Sequence, residues 1–279
     1  MSDSDSAHTV GAEEALRRVR TEGWCVIDGV IPRPELAAVR DSVSATLAGR
    51  TELCGVIACD RSFAPYLVDE RLTAIAMGMF GPESRIARTD AFAVEPGAAG
   101  SGWHADWPFS GDDSYRVAVP YGDLAMAVTT LWRLTDDPAG ADATLIASGS
   151  HRTHDNPAVA PGYAADAEIA SQMLPEVPAG GVLAFDSRLW HRTTANTGGE
   201  RRFWLDIQYV PWWLDVTSMI PGLADYETRA EGLGYRPVEL RALDDAAFAA
   251  LPDTVKPLFD HLRLDQGVIA WHPDAPASS

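Results

Sequence analysis

Ser101-Gly102-Trp103-His104-Ala105-Asp106-Trp107-Pro108-Phe109 is the stretch from which the rest of the chain is read. In extended backbone alternate side chains project to the same side, so the His104 imidazole and the Asp106 carboxylate point together. Two such groups make half of a metal site. Non-haem Fe(II) is commonly held on one triangular face by two His and one carboxylate, with three positions left for co-substrate, water and O2. A lone His-x-Asp is a common surface or core pair, so the pattern needs a further His. His151, His154 and His191 all lie downstream. His191 has the best setting, because it ends the apolar run 182–190, and a second apolar run, Phe203 to Val210, follows the turn-like Asn196-Thr197-Gly198-Gly199.

If that turn is centred between Thr197 and Gly198, antiparallel pairing sets Thr193 opposite Arg202 and His191 opposite Trp204. His191, Thr193 and Arg202 then share one face. A guanidinium grips a carboxylate through two parallel bonds and a hydroxyl adds one more, which suits a dicarboxylate co-substrate. Strand alternation sends Arg201 to the other face.

The set His104-x-Asp106, His191, Thr193, Asn196 and Arg202, the last eleven residues beyond His191, resembles the phytanoyl-CoA dioxygenase (PhyH) family of Fe(II)/2-oxoglutarate-dependent oxygenases. So does Gly149-Ser150-His151-Arg152 after Trp132-Arg133-Leu134. The resemblance extends from Glu22-Gly23-Trp24-Cys25-Val26-Ile27 to about Tyr209. It implies a double-stranded β-helix (jelly roll, cupin-like) with iron on His104, Asp106 and His191, and the distal carboxylate of 2-oxoglutarate on Arg202 and Thr193. Trp132 is a further candidate for co-substrate contact. The implied chemistry couples decarboxylation of 2-oxoglutarate by O2, giving succinate and CO2, to oxidation of a substrate C–H bond, with ascorbate as a support in vitro. Asp106 fills the coordination position that a halogenating relative would leave for chloride, which favours hydroxylation. Desaturation, epimerisation and cyclisation draw on the same chemistry. Two positions depart from the family pattern: Asp142 stands where a Gly is often found, and Ser148 stands where a Pro usually precedes Gly149. The loop carrying Gly149 is therefore expected to be shaped differently.

With 279 residues and 46% hydrophobic content, the chain fits one large domain, 1–279, with disordered tails at 1–11 and 273–279. A net charge of −18 argues against nucleic acid and against an anionic membrane surface as partners. The only lysine is Lys256, in a C-terminal segment, which sets Schiff-base chemistry aside. Cys25, Cys54 and Cys59 are too few and too unevenly placed for a disulfide framework, and Cys54-x4-Cys59 is not a zinc-knuckle spacing. Together with the lack of a recognisable signal peptide and of a long apolar run, this points to a cytoplasmic protein. The oligomeric state is open.

Apolar spacing predicts helices over 13–20, from Pro34 to a stop at Gly49, over 63–80, 244–251 and 257–264. Strands are predicted at 24–30, 85–94, 124–134, 143–148, 182–190 and 202–210. In the second of these, Ile86, Arg88, Asp90 and Phe92 are expected on one side. A helical head followed by a run of strands reads as mainly β with flanking helices. The long connections 109–121, which contains Asp112-Asp113, and 156–178 are candidate lids.

Trp103, Trp107, Phe109 and Trp204 flank the proposed ligands or the anchor and are candidates for an apolar substrate pocket, although aromatic residues on strands are ordinarily core. With no basic cluster suited to an acyl-CoA, the substrate expected is a free small molecule, a specialised metabolite or natural-product intermediate. A hydrolase built on Ser148-Gly149-Ser150-His151 lacks the Gly-x-Ser-x-Gly elbow, and adjacent Ser and His do not readily form a nucleophile–base pair. A catalytically silent, cupin-like small-molecule binding protein is the alternative; a complete ligand set and anchor speak against it.

Overall fold

The computed structural model describes residues 10–107, 120–135, 144–158, 164, 167–216, 226–228, 231 and 243–263. Helices α1 (Ala12–Glu22), α2 (Arg33–Leu47) and α3 (Glu70–Phe80) interleave with strands β1 (Trp24–Ile27), β2 (Glu52–Leu53) and β3 (Arg85–Val94). Strands β4 (Val128–Arg133), β5 (Thr144–Ala147), β6 (Gln172–Met173), β7 (Val182–Asp186), β8 (His191–Thr193) and β9 (Arg202–Val210) follow. A six-stranded sheet runs β1-β7-β4-β9-β3-β2 and a three-stranded sheet runs β6-β5-β8, with antiparallel pairing throughout. The two sheets are the halves of a double-stranded β-helix, so the fold is mainly β with helices on one side, as the sequence implied.

Alternation along the strands decides what each face of the large sheet touches. Phe203, Leu205, Ile207 and Tyr209 of β9 join the core that includes Val39, Val43 and Leu47 of α2 and Leu72, Ile75 and Ala76 of α3. Cys25 and Ile27 of β1, Trp132 of β4 and Val182 and Ala184 of β7 belong to the same layer. The residues between them, Leu183 and Phe185 of β7, pack with Ile146 of β5, in the space between the sheets. Between them, Arg202, Trp204, Asp206 and Gln208 of β9 are buried and take that second, inner face.

The helices keep the positions that their apolar spacing predicts. Leu36, Val39, Val43 and Leu47 of α2 are buried, and the chain leaves the helix through Ala48 and Gly49, both at positive φ. The predicted helix 63–80 is divided: a 3-10 segment, Ala64–Val68, ends at Asp69, whose side chain accepts from the Arg71 amide and starts α3. Val10 and Gly11, assigned to the first tail from sequence, have defined places: Gly11 caps α1 and Val10 packs against the core. The segment 257–264 contains 3-10 turns, Lys256–Leu258 and Asp260–Leu262, rather than an α-helix. The remaining tail residues, Asp142 and most of the candidate lid 109–121 lie outside the described residues, as does part of 156–178. No helix among the described residues is long and apolar enough to cross a membrane.

Three sequence expectations change. The run 182–190 is not one strand: Asp186 turns the chain by accepting the Arg188 amide on its side chain and the Leu189 amide on its carbonyl, and pairing resumes at His191. In β3 a register shift between Ile86 and Arg88 sets Ile86 opposite Tyr209, on the helix side, and Arg88 opposite Gln208, on the inner side. Arg88, Asp90 and Phe92 therefore share a face that Ile86 does not. The expected hairpin between β8 and β9 is absent, because both edges of β8 are already used. Thr193 and His191 pair with Thr144 and Ile146 of β5 on one side, while Ser101 and His104 bond its other edge. Asn196 steers the chain across to the large sheet, its amide donating to Val94 and Glu200 carbonyls and its oxygen accepting from Gly198.

Candidate metal centre

His104 and His191 face one another across an isolated antiparallel bridge, with N–H···O bonds of 3.0 and 2.9 Å in the two directions. Their ring centroids are 4.2 Å apart, and the Phe185 ring lies tilted against His191 at 4.7 Å. Each imidazole is turned by its own backbone: Nδ1 of His104 lies 2.9 Å from the Gly102 carbonyl and Nδ1 of His191 lies 3.0 Å from that of Leu189. A carbonyl can only accept, so both Nδ1 atoms carry a proton, and it is the Nε2 lone pair that the neutral form of each ring presents. Burial first, and then the neighbouring His104, lower the His191 pKa to about 4, against the pull of Asp106. The ring is neutral and ligand-ready at neutral pH.

Asp106 completes the set, with Oδ1 3.5 Å from His191 Nε2 and 4.0 Å from His104 Nε2. Its other oxygen accepts from the Thr129 hydroxyl at 2.7 Å, and Thr129 is in turn 2.8 Å from Ser187 Oγ. Burial would raise the carboxyl's pKa, but His191, Arg88, His104 and the Thr129 bond outweigh it and hold the group below its ordinary range. One ligand atom from each of the three residues lies within 4.8 Å of the others. Two carbonyl-oriented imidazoles and a hydroxyl-anchored carboxylate are the donor set that suits Fe(II).

Among the described residues one further group, Glu52, Cys54 and Asp90, brings potential donors as close. Burial, Asp90 and Glu52 push the Cys54 thiol up to about 12, so it stays protonated at neutral pH and makes a poor ligand. His151 and His154 are not part of either group. His151 is buried against Gly23, and His154 lies edge-on to Tyr121.

The triad opens on a cavity of ≈ 370 Å3 between the two sheets, inside the range of about 300–1,000 Å3 usual for small-molecule sites. Arg88 and Phe92 of β3, Leu131 of β4 and Trp204 and Asp206 of β9 line its large-sheet wall. Thr144 of β5 and Thr193 of β8 line the other. Thr193 Oγ1 accepts from the Ser101 amide at 3.1 Å, which leaves its own O–H to donate. Arg202 shares strand parity with Trp204 and Asp206 and pairs with Val94, a further lining residue, although it is not itself part of the lining. It is 1% exposed, and a Cβ at position 198 would sit 2.4 Å from its Nη2, so Gly198 is what lets the guanidinium lie there. Arg201 faces outward to Glu95 at 2.6 Å, as alternation requires.

Other candidates are redistributed. Trp204 lines the cavity. Trp103 does not: alternation that aims His104 and Asp106 inward sends Trp103 and Ala105 into a separate cluster with Ala147 and Trp190, where the indole donates to the Ala167 carbonyl. Trp132 is on the helix side of β4, its indole bonded to Thr130 Oγ1, and the sheet separates it from the cavity. Trp107 is partly buried and is held through its amide to Ser187, outside the lining; Phe109 lies outside the described residues. Ser148 is tied in place, its amide donating to Ser171 and its hydroxyl accepting from the Trp24 indole, and Gly149 has φ +81°. The reading from sequence missed Thr129, Arg88 and Asp206. The last had a signal: it is the one acid within the apolar run 203–210.

Known proteins with this architecture include the non-haem α-ketoglutarate-dependent epimerase SnoN from nogalamycin biosynthesis, at 18% identity and TM-score 0.59 over 76% of this chain and 90% of that one. HygX from Streptomyces hygroscopicus, solved with nickel and 2-oxoglutarate bound, is similar at 19% identity and TM-score 0.56, over 74% of this chain and 88% of its own. EctD from S. alaskensis, solved with 2-oxoglutarate and 5-hydroxyectoine, gives 16%, 0.57, 75% and 79%. At such identities the likeness is one of fold. No curated protein matches the sequence significantly. The family model for phytanoyl-CoA dioxygenase (PhyH) matches residues 57–203, more than half of the sequence and a span that contains the whole triad and Arg202. The chain therefore belongs to the phytanoyl-CoA dioxygenase (PhyH) family.

Proposed function

We propose that this protein is an Fe(II)/2-oxoglutarate-dependent oxygenase that oxidises a small specialised metabolite, with His104, Asp106 and His191 as iron ligands and Arg202 and Thr193 as the anchor for the distal carboxylate of 2-oxoglutarate. The observation that carries the reading is the convergence of two carbonyl-oriented imidazoles and the Thr129-held carboxylate on the mouth of a cavity walled by Phe92, Leu131 and Trp204. Bound there, the iron, with 2-oxoglutarate and O2, would supply the oxidising power to attack an unactivated C–H bond.

The chain's own part is binding and orientation. The inner-face placement of Arg202 and the free O–H of Thr193 support a dicarboxylate held by its far end, with its other end toward the triad. Apolar walls displace water from the reacting carbon, and Thr129 keeps the second oxygen of Asp106 occupied so that the first remains directed at the imidazoles. A carboxylate at position 106 supports hydroxylation over halogenation. We read the whole chain as one domain, because Ala15 and Val19 near one end and Leu243 and Leu262 near the other share a core with the sheet. Three free cysteines suit a reducing cytoplasm.

Succinate formation with Fe(II), 2-oxoglutarate and ascorbate tests the activity, since slow uncoupled turnover needs no substrate. His104→Ala and His191→Ala should each abolish it and weaken Fe(II) binding while the circular dichroism spectrum is retained. Normal turnover in His191→Ala would remove that residue from the ligand set. A metal-loaded wild type that never forms succinate would favour the silent binding protein.

A further inference from the structure

Asp206 is a carboxylate that the iron and 2-oxoglutarate machinery leaves unused. It lies on the inner face of β9, its side chain lines the cavity, and it is 5% exposed. One oxygen, Oδ2, takes the Arg88 guanidinium. The other, Oδ1, is buried and has no hydrogen-bond partner among the described residues. A buried carboxylate oxygen without a donor is costly to keep, and in a ligand cavity the missing donor is one the ligand would supply.

The charges around it select the kind of donor. Arg88 is the one arginine or lysine among the described residues that line the cavity, and it is shared, with Nε 3.0 Å from Asp90 Oδ2 in an ion pair and Nη2 on Asp206. Its charge is thus already offset. Asp90 and Asp206 are register partners on adjacent strands, and Asp106 stands nearby among the metal ligands. With the charge of Asp106 taken by the iron it would hold, an anion placed beside Oδ1 would meet the two carboxylates of Asp206 and Asp90 and one engaged guanidinium. A cation would meet the reverse. The next register pair, Phe92 and Trp204, sets two aromatic side chains beside the same spot; aromatic faces attract cations, and the Trp204 ring already has the Arg133 guanidinium 5.8 Å from its centroid.

We infer that Asp206 is the specificity-determining residue of the cavity and that the substrate carries a protonated amine on an apolar body, the ammonium donating to Asp206 Oδ1. The inference rests on the oxygenase reading and adds the substrate's chemical class to it.

The test uses protein loaded anaerobically with Fe(II) and 2-oxoglutarate, titrated calorimetrically with benzylamine, its neutral counterpart benzyl alcohol, and benzoate. Benzylamine should bind about tenfold or more tighter than benzyl alcohol, as one charge-assisted bond predicts, with benzoate weakest. In Asp206→Asn, which preserves size, the preference for the amine should fall to within about twofold, while Fe(II) and 2-oxoglutarate uptake persists. The wild-type comparison stands even where the variant folds poorly. Equal binding of amine and alcohol, tighter binding of benzoate, or no binding of any probe to loaded wild type overturns the inference and leaves the oxygenase reading intact. Failure of the wild type to take up Fe(II) and 2-oxoglutarate overturns both.

Discussion

At the residue scale, adjacent arginines show how much depends on a side chain's face. Arg201 and Arg202 are chemically identical, yet Arg201 is paired with Glu95 at the surface and Arg202 is buried at the inner face. Alternation alone separates them. Removing a desolvated guanidinium from a carboxylate costs on the order of 2–5 kcal/mol. Arg202→Ala should therefore raise the 2-oxoglutarate requirement by about 30-fold or more, and Arg201→Ala should leave it nearly unchanged. Titrating 2-oxoglutarate against succinate formation in both variants decides this, and the opposite ranking would move the anchor to another side chain. The parity reading placed Arg202 inward and Arg201 outward through a wrong partner: Arg202 is aligned by Val94 of β3, not by Thr193 of β8.

At the element scale, the junction between α1 and β1 fastens the helical layer to the strands that carry the site. Gly23 ends α1 at φ +90°, its amide donating to Val19 and its carbonyl accepting from Asp186, one residue after Phe185. A Cβ there would stand 2.4 Å from His151 Nδ1 and 2.7 Å from Leu189 Cδ1. Gly23→Ala meets both a left-handed backbone, at about 1–2 kcal/mol, and a collision with two buried side chains. The expected result is an unfolding free energy, read from urea titration, lowered by at least that amount, and an unchanged value would mean that His151 has room to move aside. The same contact explains why a Gly-Ser-His segment that looks catalytic in sequence is used for packing.

At the scale of the whole molecule, ionisable groups buried by the fold make stability depend on pH. Burial first, then Arg85, lower the His261 pKa to about 4, against Asp215. An unfolded histidine titrates near 6.5, so between that value and about 4 the unfolded chain binds more protons. The stability that His261 contributes by staying neutral is present above pH 6.5 and is lost as pH falls toward 4. Asp90 acts in the opposite sense: burial raises its carboxyl to about 6, so its contribution falls as pH rises from its unfolded value. A difference measurement is needed. The drop in melting temperature from pH 7 to pH 4.5 should be smaller in His261→Gln than in the wild type, and equal drops would show that His261 gains access to water in the folded protein.

Local chemistry was enough to find much of this protein. His-x-Asp in extended chain puts two ligands on one side wherever the segment lies, and the helical spacing of Leu36, Val39, Val43 and Leu47 marks a buried face without knowledge of what covers it. The bounds of β3 and β9 follow equally well from alternation and turn residues. Three-dimensional pairing decided the rest. The closeness of His104 to His191, which supports the proposed second ligand, comes from a bridge that no spacing encodes. Whether β8 joins β5 or β9 depends on which edge is already occupied, and whether Ile86 travels with Arg88 depends on one bulge. Trp132 and Trp204 carry the same side chain in neighbouring strands, but one is in the helix-side core and the other in the cavity wall. A strand's own sequence records that its two faces differ; only the layers packed on each side determine which face becomes core and which becomes site.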